Sequence, residues 1–187
     1  MVTFATGLIE VIWGIWAAIW LILAFRTKRT IARSGGWGRL WVAWAVLYVI
    51  ASRLMVHSSL HDRVWAPSPA ISIVASVLMV AGAAFTIWAR FTIGANWSGM
   101  VTLKENHELI QRGPYHLARH PIYTGLLFMG IASVLQYAEP IGFIEMTIVI
   151  LLFIPKIRLE EKLMTENFPD QYPQYRRQVK AIIPFIV

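Results

Sequence analysis

Apolar residues run through this chain in blocks rather than in alternation with polar ones. Five blocks approach the roughly 17–25 residues that a helix needs to cross a bilayer. They cover residues 7–25, 40–56, 70–89, 121–137 and 141–154. The first lacks the basic flank and cleavage site of a signal peptide and reads as a mature helix. Only Ala138-Glu139-Pro140 separates the last two, which predicts a tight helical hairpin. The predicted fold is all-α: a polytopic membrane protein of about five transmembrane helices, forming one domain over residues 1–187.

The polar stretches carry their own local signals. Residues 102–110 alternate enough to predict a short extended or hairpin piece. Gly113-Pro114 predicts a turn, with Pro114 opening a short helical turn. Pro121 suits the first turn of the fourth span, where its missing N–H is no loss, and this puts His120 near the N-cap. Pro155 should kink or end the fifth span. The last seven residues, from Ala181 to Val187, are too few to span and are expected to dock back on the membrane or the core.

Composition agrees with the pattern. Hydrophobic residues make up 57% of the 187 positions and charged residues only 14%, against roughly 25% in soluble domains. The absence of Cys removes disulfides, thiolate catalysis and Cys-ligated metals. The net charge of +7 could suggest nucleic acid, but its distribution has a simpler source. The loop 26–39 holds five Lys/Arg, residues 90–120 hold four and the tail from Lys156 holds six, so 15 of 17 fall on one side of the predicted membrane. The positive-inside rule makes that side cytoplasmic and the N-terminus external, and no nucleic-acid partner is expected. Nine Trp suit interfacial anchoring. Glu10, Arg53 and Glu145 fall near the outer ends of their spans and read as interfacial.

The densest polar cluster is Gly113-Pro114-Tyr115-His116-Leu117-Ala118-Arg119-His120-Pro121-Ile122-Tyr123. A helix beginning at Pro121 exposes unpaired N–H groups and a partial positive charge, and Arg119 and His120 add to it. That end should suit a carboxylate or other anion. His116, Arg119, His120 and Tyr123 would share a face if helix continued through Pro121. In the tail, Lys156 and Glu160, like Arg158 and Lys162, stand four apart; taken alone they read as a solvated amphipathic helix. His57 and His61 have an acceptable ligand spacing, but only Asp62 stands near as a third ligand and no metal is expected. No P-loop and no Gly-rich dinucleotide fingerprint occurs.

Arg119-His120-Pro121-Ile122-Tyr123 with Gly125, preceded by Gly113-Pro114-Tyr115 and by His107-Glu108-Leu109-Ile110, resembles the integral-membrane isoprenylcysteine carboxyl methyltransferases and the wider phospholipid methyltransferase group. Glu160-Glu161, Phe168, Tyr172, Tyr175 and Ile183-Pro184-Phe185 extend the likeness, so that it covers residues 90–187. The resemblance implies an S-adenosylmethionine site formed by the loop before the fourth span and the C-terminal tail. It implies cofactor-binding roles for His107, Leu109, Ile110, Tyr115, His120, Pro121, Tyr123 and Glu160. It implies a cation near the reacting group at Lys156, where the family carries Arg, with Arg158 as the other candidate and Arg119 beside them. Pro169 stands where the family has Gly. The implied partner is a lipophilic methyl acceptor, with membrane lipid around it. An isoprenylcysteine carboxylate leads, and a phospholipid amine or small thiol follows. A reading from another class is a non-catalytic scaffold whose basic loops hold anionic lipid.

Overall fold

The computed structural model describes residues 1–33 and 59–183. The predicted second span at 40–56, with Arg39, Arg53, His57 and residues 184–187, lies outside the described residues. The described chain is mostly helical: α1 (Val2–Ala24), α2 (Pro69–Ile93), α3 (Pro121–Tyr137), α4 (Pro140–Asn167) and α5 (Tyr172–Gln178). Two short strands, β1 (Thr30–Arg33) and β2 (Thr102–Lys104), add a small antiparallel sheet. α1, α2 and α4 are long and apolar enough to cross a membrane, while α3 has only 17 residues.

The helix boundaries follow local chemistry. α2 begins where Ser68 accepts the Ile71 N–H on its hydroxyl and Pro69 takes the first helical position. α3 begins at Pro121 with His120 as its N-cap and ends at Ala138 in the left-handed region, with φ 56°. Two residues later Pro140 opens α4, so the predicted hairpin is tight. Of the two effects expected of Pro155, a kink or an end, the end does not occur: the helix runs on to Asn167, past the expected limit of the fifth span. Proline deletes one backbone hydrogen bond, and the helix-favouring Lys156, Arg158, Leu159, Glu160 and Glu161 carry the ladder onward.

The core lies between α1, α2 and α3, where Ile9, Ala75, Met79, Ala83, Met129 and Ala132 are buried together. Apolar side chains gain little from meeting one another in a lipid solvent, so helix pairs there depend on small residues that let backbones approach. α2 and α3 meet at Gly82 and Gly125. A Cβ on Gly125 would lie 2.6 Å from the Gly82 carbonyl oxygen and 2.5 Å from a Thr86 methyl. Ala84, next in the small-residue run, is exposed. The tryptophans of α1 do not serve simply as interfacial anchors. Trp13 donates to the Ser133 hydroxyl at 3.1 Å and Trp16 to the Thr86 hydroxyl at 3.0 Å, stitching α1 to α3 and α2.

The ends of the bundle are unlike. At one end, His61 meets Glu139 at 3.0 Å and the Val64 N–H donates to the Ala138 carbonyl. The other end gathers β1, β2, residues 94–120, the end of α4 and the tail. There Arg90, 2% exposed, donates to the Leu23 and Gly94 carbonyls and so closes the C-terminal ends of α1 and α2 with one guanidinium. Gly125→Val should prevent the α2–α3 approach, because backbone rather than a flexible side chain stands in the way. A penalty of about 1–3 kcal/mol or more is expected from overpacking. It would be read as a lowered Tm in detergent, with Ala84→Val near wild type as the control.

Candidate active site

A cavity of about 270 Å³ opens at the basic end of the bundle, between α1, the 94–123 segment, α4 and α5. That is just below the about 300–1,000 Å³ usual for small-molecule sites. His107, Leu109, Ile110, Tyr115, Arg119, His120, Pro121, Tyr123, Lys156 and Glu160 all line it. Arg158 does not; its side chain is exposed on another face of α4.

The wall is built around two adjacent carboxylates of α4. Tyr123 donates its hydroxyl to Glu160 at 2.6 Å. The His120 ring lies between the two acids, Nδ1 3.4 Å from Glu160 and Nε2 3.4 Å from Glu161. Arg119 places Nε at 2.9 Å and Nη2 at 2.6 Å from Glu161. Its Nη1 donates to the carbonyls of Arg176 and Val179. Arg176 adds a third cation 3.5 Å from Glu161. So the anions that meet the His120 end of α3 are the protein's own side chains. Helix also does not continue through Pro121. Residues 113–116 form a separate 3-10 turn, so the shared face that a continuous helix would have given His116, Arg119, His120 and Tyr123 does not arise. Pro121 disfavours helix in the residue before it.

Burial opposes a charge on His120, but the hydrogen bonds and negative charges of Glu160 and Glu161 outweigh it and raise its pKa above the ordinary value. Burial lowers His107, helped by the cations Lys28 and Lys104, and the Lys104 N–H donates to its Nδ1 at 3.4 Å. Burial and the nearby Glu160 push the Tyr115 phenol upward, so it stays a neutral hydroxyl. The Tyr115 carbonyl accepts from the Tyr175 hydroxyl at 2.5 Å.

Aromatic rings continue the wall beyond the acids. His120 stacks on Tyr123, and Tyr123 on Phe153, with ring centres 5.5 and 4.5 Å apart. The Lys156 ammonium lies 5.3 Å from the centre of the Tyr123 ring and donates to the Gly99 carbonyl at 3.0 Å. Lys156 and Glu160 are therefore part of a cavity wall rather than of a solvated helix face. Trp20 and Trp97 pack edge to face at 5.9 Å, and Arg90 sits 4.5 Å over the Trp97 ring. Trp97 lines the wall, and Trp20, Asn96, Thr102, Tyr172 and Tyr175 join it without having been singled out as binding residues in the sequence. Tyr172 and Tyr175 belong to the tail pattern that carries the family likeness, and Thr102 to the extended piece at 102–110.

The partner of β2 was also not legible. The strand at 102–104 pairs with residues 30–33 rather than turning back on itself, so the basic loop after α1 braces the cavity. The tail docks on the core: the Lys180 and Ala181 carbonyls accept from the Arg119 and His120 N–H groups, and the Ile182 carbonyl from the Thr124 hydroxyl.

Residues 74–166 match the isoprenylcysteine carboxyl methyltransferase (ICMT) family. The chain is 34% identical over 101 residues to the protein-S-isoprenylcysteine O-methyltransferase of Saccharomyces cerevisiae, covering 52% of this chain and 42% of that protein. It is 29% identical over 101 residues to protein-S-isoprenylcysteine O-methyltransferase B of Arabidopsis thaliana, covering 52% and 51%. The chain thus spans about half the length, or less, of these curated relatives. Its fold is similar to that of a eukaryotic intramembrane Ras methyltransferase, ICMT, with a TM-score of 0.55 and 22% identity over 82% of this chain and 55% of that one. The ICMT segment ends at residue 166, so Arg176, Val179 and the docked tail lie beyond it.

Two outcomes follow from the network. Breaking a buried ion pair by removing one partner is strongly destabilising, by about 3–5 kcal/mol. Arg119→Ala should therefore lower Tm sharply, and limited proteolysis should release the tail. His120, with its folded pKa raised, contributes stability fully below its unfolded value of about 6.5 and loses it as pH rises through the higher folded value. The Tm difference between wild type and His120→Gln should be largest in acid and shrink toward alkaline pH. A difference that grows with pH would contradict the assignment.

Proposed function

We propose that this chain is an integral-membrane methyltransferase. It would move a methyl group from S-adenosylmethionine to a lipophilic acceptor, with an isoprenylcysteine-type carboxylate foremost. The observation that carries this reading is the Tyr123–Glu160–His120 network. It puts three residues of the ICMT-like pattern into hydrogen-bond contact on one cavity wall. The basic-residue distribution supports a cytoplasmic position for the site and an external N-terminus.

The lining fits the proposed cofactor chemically. Tyrosine and tryptophan rings together with the Glu160 carboxylate suit a sulfonium cation. Two buried polar atoms in the wall, Asn96 Oδ1 and Thr102 Oγ1, have no hydrogen-bond partner among the described residues and can serve polar groups of a ligand. When bound, S-adenosylmethionine supplies an already electrophilic methyl group.

The chain's own residues then have positioning to do. Glu160, Tyr123 and His120 hold the site's charge in place, and Tyr115, Leu109, Ile110 and Pro121 shape the wall. His107, a neutral ring by its lowered pKa, offers a hydrogen bond without adding positive charge. Lys156 is the lining cation suited to orient a carboxylate, which needs no proton removed at pH 7 before it attacks. As Lys it orients a point charge rather than gripping two oxygens as Arg would. Arg119 acts through Glu161, and Arg158 stands away from the wall. The short α3, about 25 Å at 1.5 Å per residue, supports a site set into the membrane boundary, where a lipid-borne acceptor can reach it.

The test is calorimetric titration of S-adenosylhomocysteine into the detergent-purified chain, followed by methyl transfer to prenyl-cysteine, phospholipid and thiol acceptors. Micromolar binding, about 8 kcal/mol, that is lost in His120→Ala and Glu160→Ala is expected. No binding by a folded wild type would return the basic loops to the scaffold reading.

A further inference from the structure

Among the described residues, seven buried side chains leave a polar atom without a hydrogen-bond partner, and two of those residues, Asn96 and Thr102, line the same cavity. Both side chains are more than nine-tenths buried, at 7% and 8% exposure. Burial without a partner is rare for such atoms, and each instance calls for an explanation.

The backbone around both residues is held in place. Asn96 sits in a 3-10 turn fixed at each preceding carbonyl. The Gly94 carbonyl accepts from the Arg90 guanidinium at 2.8 Å, and the Ala95 carbonyl from the Lys28 N–H at 2.9 Å. On its other side Trp97 lies under Arg90. Thr102 is in β2, with Arg33 as its partner in the sheet. The chain thus builds two platforms, each braced by the segment after α1, and each carries an unmatched polar atom on a residue of the cavity wall. Rigid support behind an unsatisfied polar group is how binding sites are pre-organised.

We propose that Asn96 and Thr102 form the nucleoside-reading pair of this site, Asn96 recognising the adenine amino edge and Thr102 a ribose hydroxyl. This rests on the methyltransferase reading above. A side-chain amide is the group that matches adenine's N6 donor and N7 acceptor together. A hydroxyl can both donate and accept, as a ribose hydroxyl requires. The flat apolar lining beside them, from Trp20, Ile93, Trp97 and Val101, suits a heterocycle. His120, Tyr123 and Glu160 are left to the sulfonium end.

The experiment compares two ligands by calorimetry on the full chain: S-adenosylhomocysteine, and S-inosylhomocysteine, whose ring carries an oxygen in place of the N6 amino group. Wild type should prefer the adenosyl ligand by about tenfold or more, or about 1.4 kcal/mol. Asn96→Ala should bind the adenosyl ligand about tenfold more weakly and lose the preference. Thr102→Val should weaken both ligands equally, and Thr102→Ser should restore binding. Equal wild-type affinity for the two ligands would overturn the proposal, and that arm needs no variant to fold. Full preference retained by a folded Asn96→Ala would overturn it too, leaving the methyltransferase reading intact. A folded wild type that bound neither ligand would overturn both.

Discussion

A carboxylate buried at position 161 has to be matched, and most of the functional end of this protein follows from how that is done. Glu161 gathers Arg119, His120 and Arg176, which come from the loop before α3, from the N-cap of α3 and from α5. The Arg119 guanidinium then reaches on to the Val179 carbonyl in the tail. One anion thereby fixes three parts of the chain that share no regular hydrogen-bonded ladder. Removing water from such a cluster is unfavourable unless nearly every donor and acceptor is used. That demand holds His120 between two acids and Glu160 toward the cavity.

The membrane-facing part obeys a different constraint. Between lipid-solvated helices, association depends on contact distance and on interhelical hydrogen bonds. Gly82 against Gly125 supplies the first, and the indoles of Trp13 and Trp16 supply the second. The two regimes meet at Thr86. Its hydroxyl accepts from Trp16 while its methyl limits what can stand at position 125. Because α3 carries both the glycine contact and the His120 cap, the depth of the site is tied to the packing of the bundle.

The N-terminal part belongs to the same machine although the family-like pattern begins much later. β1 pairs with β2, Lys28 holds Ala95 and Asn106, Arg90 closes the end of α1, and Trp20 reaches the cavity. A basic loop that reads as a topology signal is thus also a structural brace. The two roles are compatible, because backbone groups of β1 make the sheet while the exposed Arg26 and Arg29 remain at the surface.

Sequence alone determined the features that depend on local preference or on lipid as solvent. The apolar blocks located four described helices where spans were expected, although the last of them runs on to Asn167, Pro121 marked a helix start, and Ala138-Glu139-Pro140 marked the hairpin. The order of His107, Tyr115, His120, Tyr123 and Glu160 was enough to suggest one site. Tertiary structure decided which charges meet. Lys156 and Arg158 lie two residues apart on one helix, yet only Lys156 faces the cavity. The turn of a helix separates them, but which face is covered depends on distant chain. Arg119 had every mark of a residue waiting for an anion, and its anion came from Glu161, 42 residues on. β1 found β2 about 70 residues away, and the tail found the backbone before α3. Long-range pairings of this kind leave no periodicity in the sequence, because either partner alone looks like an ordinary polar loop.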